Sequence, residues 1–277
     1  MAIDPRYTKL RWWREALGGR WRTQRARLGF RGPYVFDKVH EGEPMRFFIA
    51  DPAAEAWYGR RSDPHDLEMR FVRREMLRPG SVVFECGAHH GHDTVLLARW
   101  VGESGKVVAF EPIAANVEVI AKNLGLNGVT NATVVRAAVG ATSGEVAMAA
   151  DGNSHVLDAE ASGEAAVPLV SIDDYCAKHD VVPDLIKVDV EGFEWEVLKG
   201  ARRTLAEHRP MLQLEVHGDQ LFRYGTEAAA LWSLVDAQDC DVWVQRDDRR
   251  DPEPAAPGVA LAGRVHVYLR PRERARA

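Results

Sequence analysis

The chain has 277 residues, 46% of them hydrophobic and 28% charged, the composition of a globular protein with material for a core and not of a disordered, fibrous or coiled-coil chain. At about 150 residues per domain this length fits one large domain with appendages, and no apolar stretch approaches the roughly 20 residues needed to span a bilayer. The net charge of −5 is uneven, with nine Lys or Arg against Asp4 and Glu15 through Arg31, so the remaining body is acidic and ill suited to nucleic acid as its main partner.

Residues 1–76 set Trp12, Trp13 and Trp21 among arginines and then Phe36, Phe47, Phe48, Trp57 and Tyr58. The pattern predicts an N-terminal helical/β cap: an amphipathic helix, then a β-rich segment. Sharper readings of the same residues are a partner or homo-oligomer surface, or contact with an acidic membrane or nucleic acid without stable insertion. Asp4, Arg6, Lys9, Arg11 and Arg14 interrupt any secretory apolar run. Cys86, Cys176 and Cys240 are too far apart and odd in number for a disulfide framework or a Cys-x-x-Cys knuckle. A reducing cytoplasm is therefore expected.

From Ser81 short apolar runs alternate with amphipathic stretches of helical length, which predicts an α/β fold with a mostly parallel sheet. Strands are expected at 82–86, 106–111, 132–136, 184–189, 211–217, 241–245 and 264–269. Helices are expected at 92–101, 113–126, 194–206 and 226–237. Residues 141–170 hold two more short strands, near 145–149 and 165–170, that could form a hairpin near the site. The Pro- and Asp-rich stretch 246–263 reads as a loop and not a crossover helix, so the seven-stranded sheet should end in an antiparallel last strand.

The first strand runs into Glu85-Cys-Gly-Ala-His-His-Gly91 and then a helix. A glycine turn between strand and helix lets a ligand approach the backbone at the crevice beyond the strand ends. The Gly87 and Gly91 spacing is not that of a dinucleotide fingerprint, and Glu85 before the turn repels an anion while tolerating an ammonium or sulfonium. Twenty residues past Gly91, Glu111 ends the next strand, where a carboxylate can accept hydrogen bonds from both ribose hydroxyls. A nucleoside with positive charge, S-adenosylmethionine, satisfies all three conditions. The plainer alternative is that the glycines only allow tight packing and Glu111 caps the helix near Ile113.

Lys187-Val-Asp-Val-Glu-Gly-Phe-Glu-Trp-Glu-Val-Leu-Lys-Gly200 resembles the hallmark of the FkbM family of S-adenosylmethionine-dependent methyltransferases. Glu111-Pro112, Ala137-Ala-Val-Gly140, Val170-Ser-Ile-Asp-Asp174 and Leu214-Glu-Val-His217 resemble it as well, over about Leu77 to Val216. The resemblance implies a Rossmann-like class I methyltransferase domain over 77–277 and O-methylation of a sugar, glycoside or polyketide-type natural product, a small hydroxylated acceptor. It implies cofactor contacts by Glu85, Gly87, Ala88, His89, Gly91, Glu111, Pro112, Ala138 and Asp189. Two departures from the family's Asp-x-Gly-Ala-Asn turn stand out: Glu85 replaces the Asp and His89 the Asn.

Methyl transfer requires alignment of the acceptor and removal of its proton. Period-2 alternation places Asp189 and Glu191 on one face of the fourth strand, and Glu215 and His217 on one face of the fifth. With an ordinary pKa near 6.5, His217 is the expected base; His90 is the reserve, with Asp189, Glu191 and Glu215 beside them. Glu191 and Glu194 could instead simply stabilise the first turn of a helix. No metal signature is present, and magnesium on Asp189 and Glu215 stays open as an alternative. N- or carboxyl-methylation, and a silent cofactor-binding partner subunit, are the competing functions.

Overall fold

A computed structural model of the protein describes residues 29–59, 66–148, 166–221 and 227–272; the helix expected around Trp12, Trp13 and Trp21 lies outside the described residues. The chain divides into two compact units, Met1–Asp66 and Leu67–Ala277. In the first, strands β1 (Tyr34–His40) and β2 (Glu43–Ile49) form an antiparallel hairpin. Glu41 and Gly42 turn it, both at positive φ, as two-residue hairpin loops demand. Helix α1 (Pro52–Tyr58) follows, with Asp51 accepting from the Ala54 amide at 2.8 Å and Pro52 in the first turn, a good start signal. Among the described residues of this unit, Met45, Phe47 and Ile49 of β2 and Ala54 of α1 are the buried apolar ones.

The second unit opens with α2 (Leu67–Phe71), which runs into a π-helical turn, Val72–Met76. Strand β3 (Val82–Cys86), helix α3 (His92–Val101), β4 (Lys106–Phe110), α4 (Ala114–Leu126) and β5 (Ala132–Val135) then alternate as expected. After them come β6 (Ala138–Val139), β7 (Gly144–Ala147), β8 (Ala166–Val170), α5 (Ile172–His179), β9 (Leu185–Val188), α6 (Glu194–Lys199), α7 (Arg202–Glu207), β10 (Met211–His217), α8 (Gly218–Leu221), β11 (Cys240–Gln245), β12 (Glu253–Pro254) and β13 (Arg264–Pro271). No helix of the described residues is long and apolar enough to cross a membrane.

The main sheet has the order β12-β11-β13-β10-β9-β3-β4-β5. Strands β10, β9, β3, β4 and β5 are mutually parallel, and β13 enters antiparallel between β10 and β11. This is the Rossmann-like class I methyltransferase order, with one addition to the seven expected strands, the two-residue edge strand β12. The insertion does contain the hairpin, β7 against β8, and β6 extends it to three strands.

Helices on both sides bury both faces of the central strands, which is why they read as continuous apolar runs. One face is fully apolar: Phe84, Cys86, Phe110, Ile186, Val188, Leu212, Leu214 and Val216 pack against Tyr175, Val197 and Leu198. The other carries a polar row, since strand register sets Glu85 beside Lys187, Lys187 beside Gln213, and Glu215 beside His266.

Three expectations are corrected. The helix expected at 226–237 is instead two short 3₁₀ turns among the described residues, Ala228–Ser233 and Ala237–Asp239. There the Ser233 hydroxyl bonds back to the Ala230 carbonyl and the Trp232 indole donates to the Val259 carbonyl, so side chains compete with the helical ladder. The helix expected at 194–206 is broken at Gly200 into α6 and α7. Helix α5 was not expected at all; Ser171 caps it by accepting from the Asp174 amide.

Gly200 packs on backbone: a Cβ there would lie 2.0 Å from the Gly140 carbonyl oxygen. Exposed Gly125 in α4 has nothing within 4 Å of its would-be Cβ. Gly200→Ala should therefore cost about 2 kcal/mol or more, whereas Gly125→Ala should add roughly 0.5 to 1 kcal/mol. Urea unfolding of both variants checks this, and two shifts of the same sign would refute the packing argument.

Candidate active site

The ends of β3, β4 and β9 are level, with Cys86 registered beside both Phe110 and Val188, so the residues that follow them meet at one crevice. After β3 the chain turns sharply: the Gly87 and Ala88 amides both donate to the Phe110 carbonyl, at 3.0 and 3.1 Å. Gly87 has φ +92, and a Cβ on it would sit 1.9 Å from the Asp189 carbonyl oxygen. The glycine is thus required by the neighbouring turn after β9, a reason beyond the ligand approach expected for it. Gly91, at φ +76, caps α3 and packs on Ile120.

His89 has φ +49. Asn and His are among the few non-glycine residues that tolerate this left-handed region, which explains how one can replace the other at the family's Asn position. The His89 and His90 rings stack with centroids 4.1 Å apart. His90 is buried against Asn116, Nε2 to Oδ1 at 3.2 Å, and its carbonyl accepts from Asn123, so the reserve base is walled into the turn.

Glu111, directly after β4, braces this corner. Its Oε2 accepts from the His89 amide at 2.9 Å, and its Oε1 from the Ile113 amide at 3.0 Å and from Asn116 Nδ2 at 3.1 Å. Burial nevertheless outweighs these bonds and pushes its pKa up to about 7. Pro112 is half-buried beside it. Ala138, expected at the cofactor, lies in the small sheet, its side chain clustered with Met148 and Val167.

Glu85 also differs from expectation. Its side chain does not line the turn but is buried on the polar face of the sheet, accepting from Thr94 Oγ1 at 2.6 Å, and burial raises its pKa to about 7 despite the field of Lys187. Lys187 is the group that sequence reading passed over, although one lysine in an otherwise apolar strand, Leu-Ile-Lys-Val, was the available signal. It is 4% exposed, with Nζ 3.3 Å from Asp93 and 4.0 Å from Asp189. Burial opposes its charge, but Asp93, Asp189, Glu68 and Glu85 hold its pKa well above the ordinary lysine value.

The remaining candidates converge at the ends of β9 and β10. Asp189, Glu191, Glu215 and His217 are brought together as expected, joined by Glu194 from α6. His217 Nδ1 is 2.8 Å from Glu194 Oε1, and its Nε2 is 3.4 Å from Glu191 and 3.5 Å from Glu215. Burial disfavours its charge, yet the hydrogen bond to Glu194 and the fields of Glu215, Glu191 and Asp189 push its pKa up to about 10. The ordinary pKa on which its selection as base rested is absent, because the ring is caged by carboxylates. Burial and Glu215 raise Asp189 well above the usual carboxylate range, against Lys187 and His217. Glu215, by contrast, is held low, since His266, Arg264 and His217 outweigh its burial; Arg264 lies 2.7 Å away.

Two trios, Asp189–Glu215–His217 and Glu68–Glu215–His266, have ligand atoms within 4.8 Å of one another. In both, the histidine lies between carboxylates, which favour its protonated form when no metal is bound. Magnesium on Asp189 and Glu215 would also meet Arg264 and Lys187, cations already bound to those carboxylates.

The family model of the methyltransferase FkbM domain matches residues 85–242, more than half of the chain. The chain belongs to the FkbM methyltransferase family. Methyltransferases of this family and fold use S-adenosylmethionine, and the domain is that of an S-adenosylmethionine-dependent methyltransferase. Among solved structures it is similar to an FkbM methyltransferase from Methylobacillus flagellatus KT, at 20% identity and TM-score 0.48 over 74% of this chain and 48% of that one. The chain thus spans about half the length of that relative. It is also similar to a putative rRNA methylase from Clostridium thermocellum (14% identity, TM-score 0.47, 75% of this chain and 94% of that one) and to an O-methyltransferase from Thermotoga maritima (14%, 0.43, 87% and 79%). No curated protein matches the chain significantly.

Several FkbM motif residues hold the scaffold. Asp173 caps α7 by accepting from the Arg203 and Thr204 amides at 2.9 and 2.8 Å, and Gly200 lets the chain pass the Gly140 carbonyl, which a Cβ there would meet at 2.0 Å.

Glu85, Glu111 and His217 give the FkbM domain a directional pH response. For each the folded pKa exceeds the ordinary value, so its stabilisation is complete below that value and is lost as pH rises through the folded one. For the two glutamates the window runs from about 4.5 to 7, and for His217 from about 6.5 to 10. Without cofactor, the melting temperature should peak near pH 5 and fall steadily toward pH 9. Thermal melts across that range check it; a constant or rising value would contradict the burial argument.

Proposed function

We propose that the protein transfers the methyl group of S-adenosylmethionine to a hydroxyl of a small acceptor, a sugar, glycoside or polyketide-type metabolite, bound over the ends of β9 and β10. The observation that carries this reading is the gathering of Asp189, Glu191 and Glu215 around His217 beside the Gly87 turn. A neutral hydroxyl needs a proton acceptor and hydrogen-bond partners there, and the acidic rim disfavours carboxylate or phosphate acceptors.

The residues present fit the cofactor: Glu111 offers a carboxylate for ribose hydroxyls, Gly87, Ala88 and His89 form the turn beside it, and the acidic surroundings suit a sulfonium and an ammonium. When bound, the cofactor supplies an electrophilic methyl carbon and departs as a neutral thioether. The chain's own residues do the rest. Asp189, its side chain 30% exposed and its pKa raised, takes the acceptor's proton, while Lys187 beneath it steadies the carboxylate before transfer. Glu191, 31% exposed, orients the hydroxyl. Glu215 is bound to Arg264, which keeps it ionised and out of proton transfer. His217 yields the role of base to Asp189.

Asp189→Asn preserves size, so it should lower turnover by roughly 10² to 10⁴, the usual share of base catalysis, and by far more than it weakens S-adenosylhomocysteine. Glu111→Ala should weaken the same ligand at least about tenfold in calorimetric titration. A panel of hydroxyl, amine and carboxylate acceptors identifies the methylated atom: N-methyl or methyl-ester product in place of the methyl ether overturns the hydroxyl reading, and full activity of Asp189→Asn removes the base assignment.

A further inference from the structure

Between β9 and α6 the chain makes a tight reversal, Asp189-Val-Glu-Gly-Phe193, with two consecutive residues in the left-handed region: Glu191 at φ +52 and Gly192 at φ +103. The second is a glycine and adopts it freely, but Glu191 bears a Cβ and does so at a cost that surrounding contacts must offset. Glu194 and His217 supply contacts of that kind. Glu194, whose side chain is 0% exposed, accepts from the Gly192 amide at 2.9 Å and from His217 Nδ1 at 2.8 Å with the same oxygen, Oε1. It thereby ties the reversal to the end of β10. The far side of the His217 ring, Nε2, faces Glu191 at 3.4 Å and Glu215 at 3.5 Å, so the ring bridges the strained residue back to the strand.

We propose that Glu194 is a positioning residue for methyl transfer: it pins His217 as a fixed imidazolium, and this pair together holds the left-handed turn that presents Asp189 and Glu191 to the acceptor. This deepens the reading of Asp189 and Glu191 given above and rests on it. Glu194 itself is sealed from the crevice and touches neither acceptor nor cofactor, so its action passes through His217 and Gly192. Among the described residues, the groups that act most strongly on the ring favour the imidazolium: Glu191 and Asp189 come from the turn, Glu194 from α6 and Glu215 from the same strand. Arg264, registered opposite His217 on β13, is spent on Glu215 and Asp248. Carboxylates on both ring edges are what a permanent cation requires and what a base must lack.

The informative variant is Glu194→Gln, which keeps the acceptor oxygen and the packing but removes the charge. His217 should then lose its proton more readily, and the turn should loosen once the ring is neutral. Nitrogen NMR of the His217 ring in the full chain gives a readout independent of turnover. In the wild type both ring nitrogens should be protonated from pH 6 to 9, and in Glu194→Gln the titration should move down by at least one pH unit. With a hydroxylated acceptor, the ratio of variant to wild-type kcat should be near one at pH 6 and fall about tenfold or more by pH 9 as the imidazolium disappears, with affinity for S-adenosylhomocysteine unchanged within about threefold. The ratio cancels the titration of Asp189, and recovery at low pH distinguishes positioning from simple damage to the fold. Glu194→Ala, which also deletes the Gly192 bond, should stay slow at every pH. A neutral His217 ring in the wild type at pH 7, or a Glu194→Gln ratio that does not vary with pH, overturns the proposal. If the ring behaves as stated while no hydroxylated acceptor is methylated, the fault lies in the acceptor assignment and not in the Glu194–His217 pair, which the ring titration decides by itself.

Discussion

A lysine ammonium sealed inside a parallel sheet must be met by carboxylates, because an unpaired buried charge costs several kcal/mol. Lys187 imposes that condition on the centre of β9, and much of the site follows from it. Glu85 must face it from β3, Asp93 must reach down from the first turn of α3, and Asp189 must sit two residues further along its own strand. Those three positions bracket the Gly87 turn. The same ion network therefore fixes how α3 lies on the sheet, where the Gly87 turn is held, and at what height the acidic residues emerge at the crevice. The carboxylates left over, Glu215 on β10 and Glu68 on α2, are met by a second group of cations, Arg264 and His266 on β13, so the polar face closes as one continuous structure and not as separate pairs.

The fold was largely legible because parallel strands covered on both faces leave an unmistakable trace, short apolar runs separated by helix-length segments. Every main strand falls within two residues of its expected place. Apart from Lys187 and the short helix α5, what was not legible depended on information that is not local in the chain. Whether 228–239 becomes an α-helix is decided by Trp232 reaching Val259, and α5 is too short for its periodicity to register over the Ser171 cap. The site shows the same division. Asp189, Glu191, Glu215 and His217 could be gathered from strand periodicity alone, but the protonation of His217 could not, because it depends on Glu194 arriving from α6 and on the register that sets Arg264 opposite His217. Period-2 alternation says which way a side chain points and nothing about what meets it.

The structure also sorts the family's motifs by task. Ser171 and Asp173 cap helices, and Gly140 and Gly200 let two segments touch. The Glu85 carboxylate, although part of the glycine-turn motif, serves the sheet interior. The Asp-Val-Glu-Gly block is different, since two of its side chains stay partly exposed at the crevice while its backbone is held in a conformation that needs outside support. Chemistry and architecture are interleaved residue by residue along the same short motifs.

The glycine contacts have a consequence for how such a domain can change over generations. A side chain added at Gly140 would meet Leu169 and Phe193, both side chains, so a smaller neighbour could accommodate it and the pair could drift together. At Gly87 and Gly200 the obstacle is a carbonyl oxygen of the main chain, of Asp189 and Gly140 respectively. No substitution elsewhere can shorten a carbonyl. Single-step mutation is costly at those two sites because backbone must move, and lineages that diverge in what they methylate are expected to do so around them, by altering the walls of the crevice while its floor is inherited.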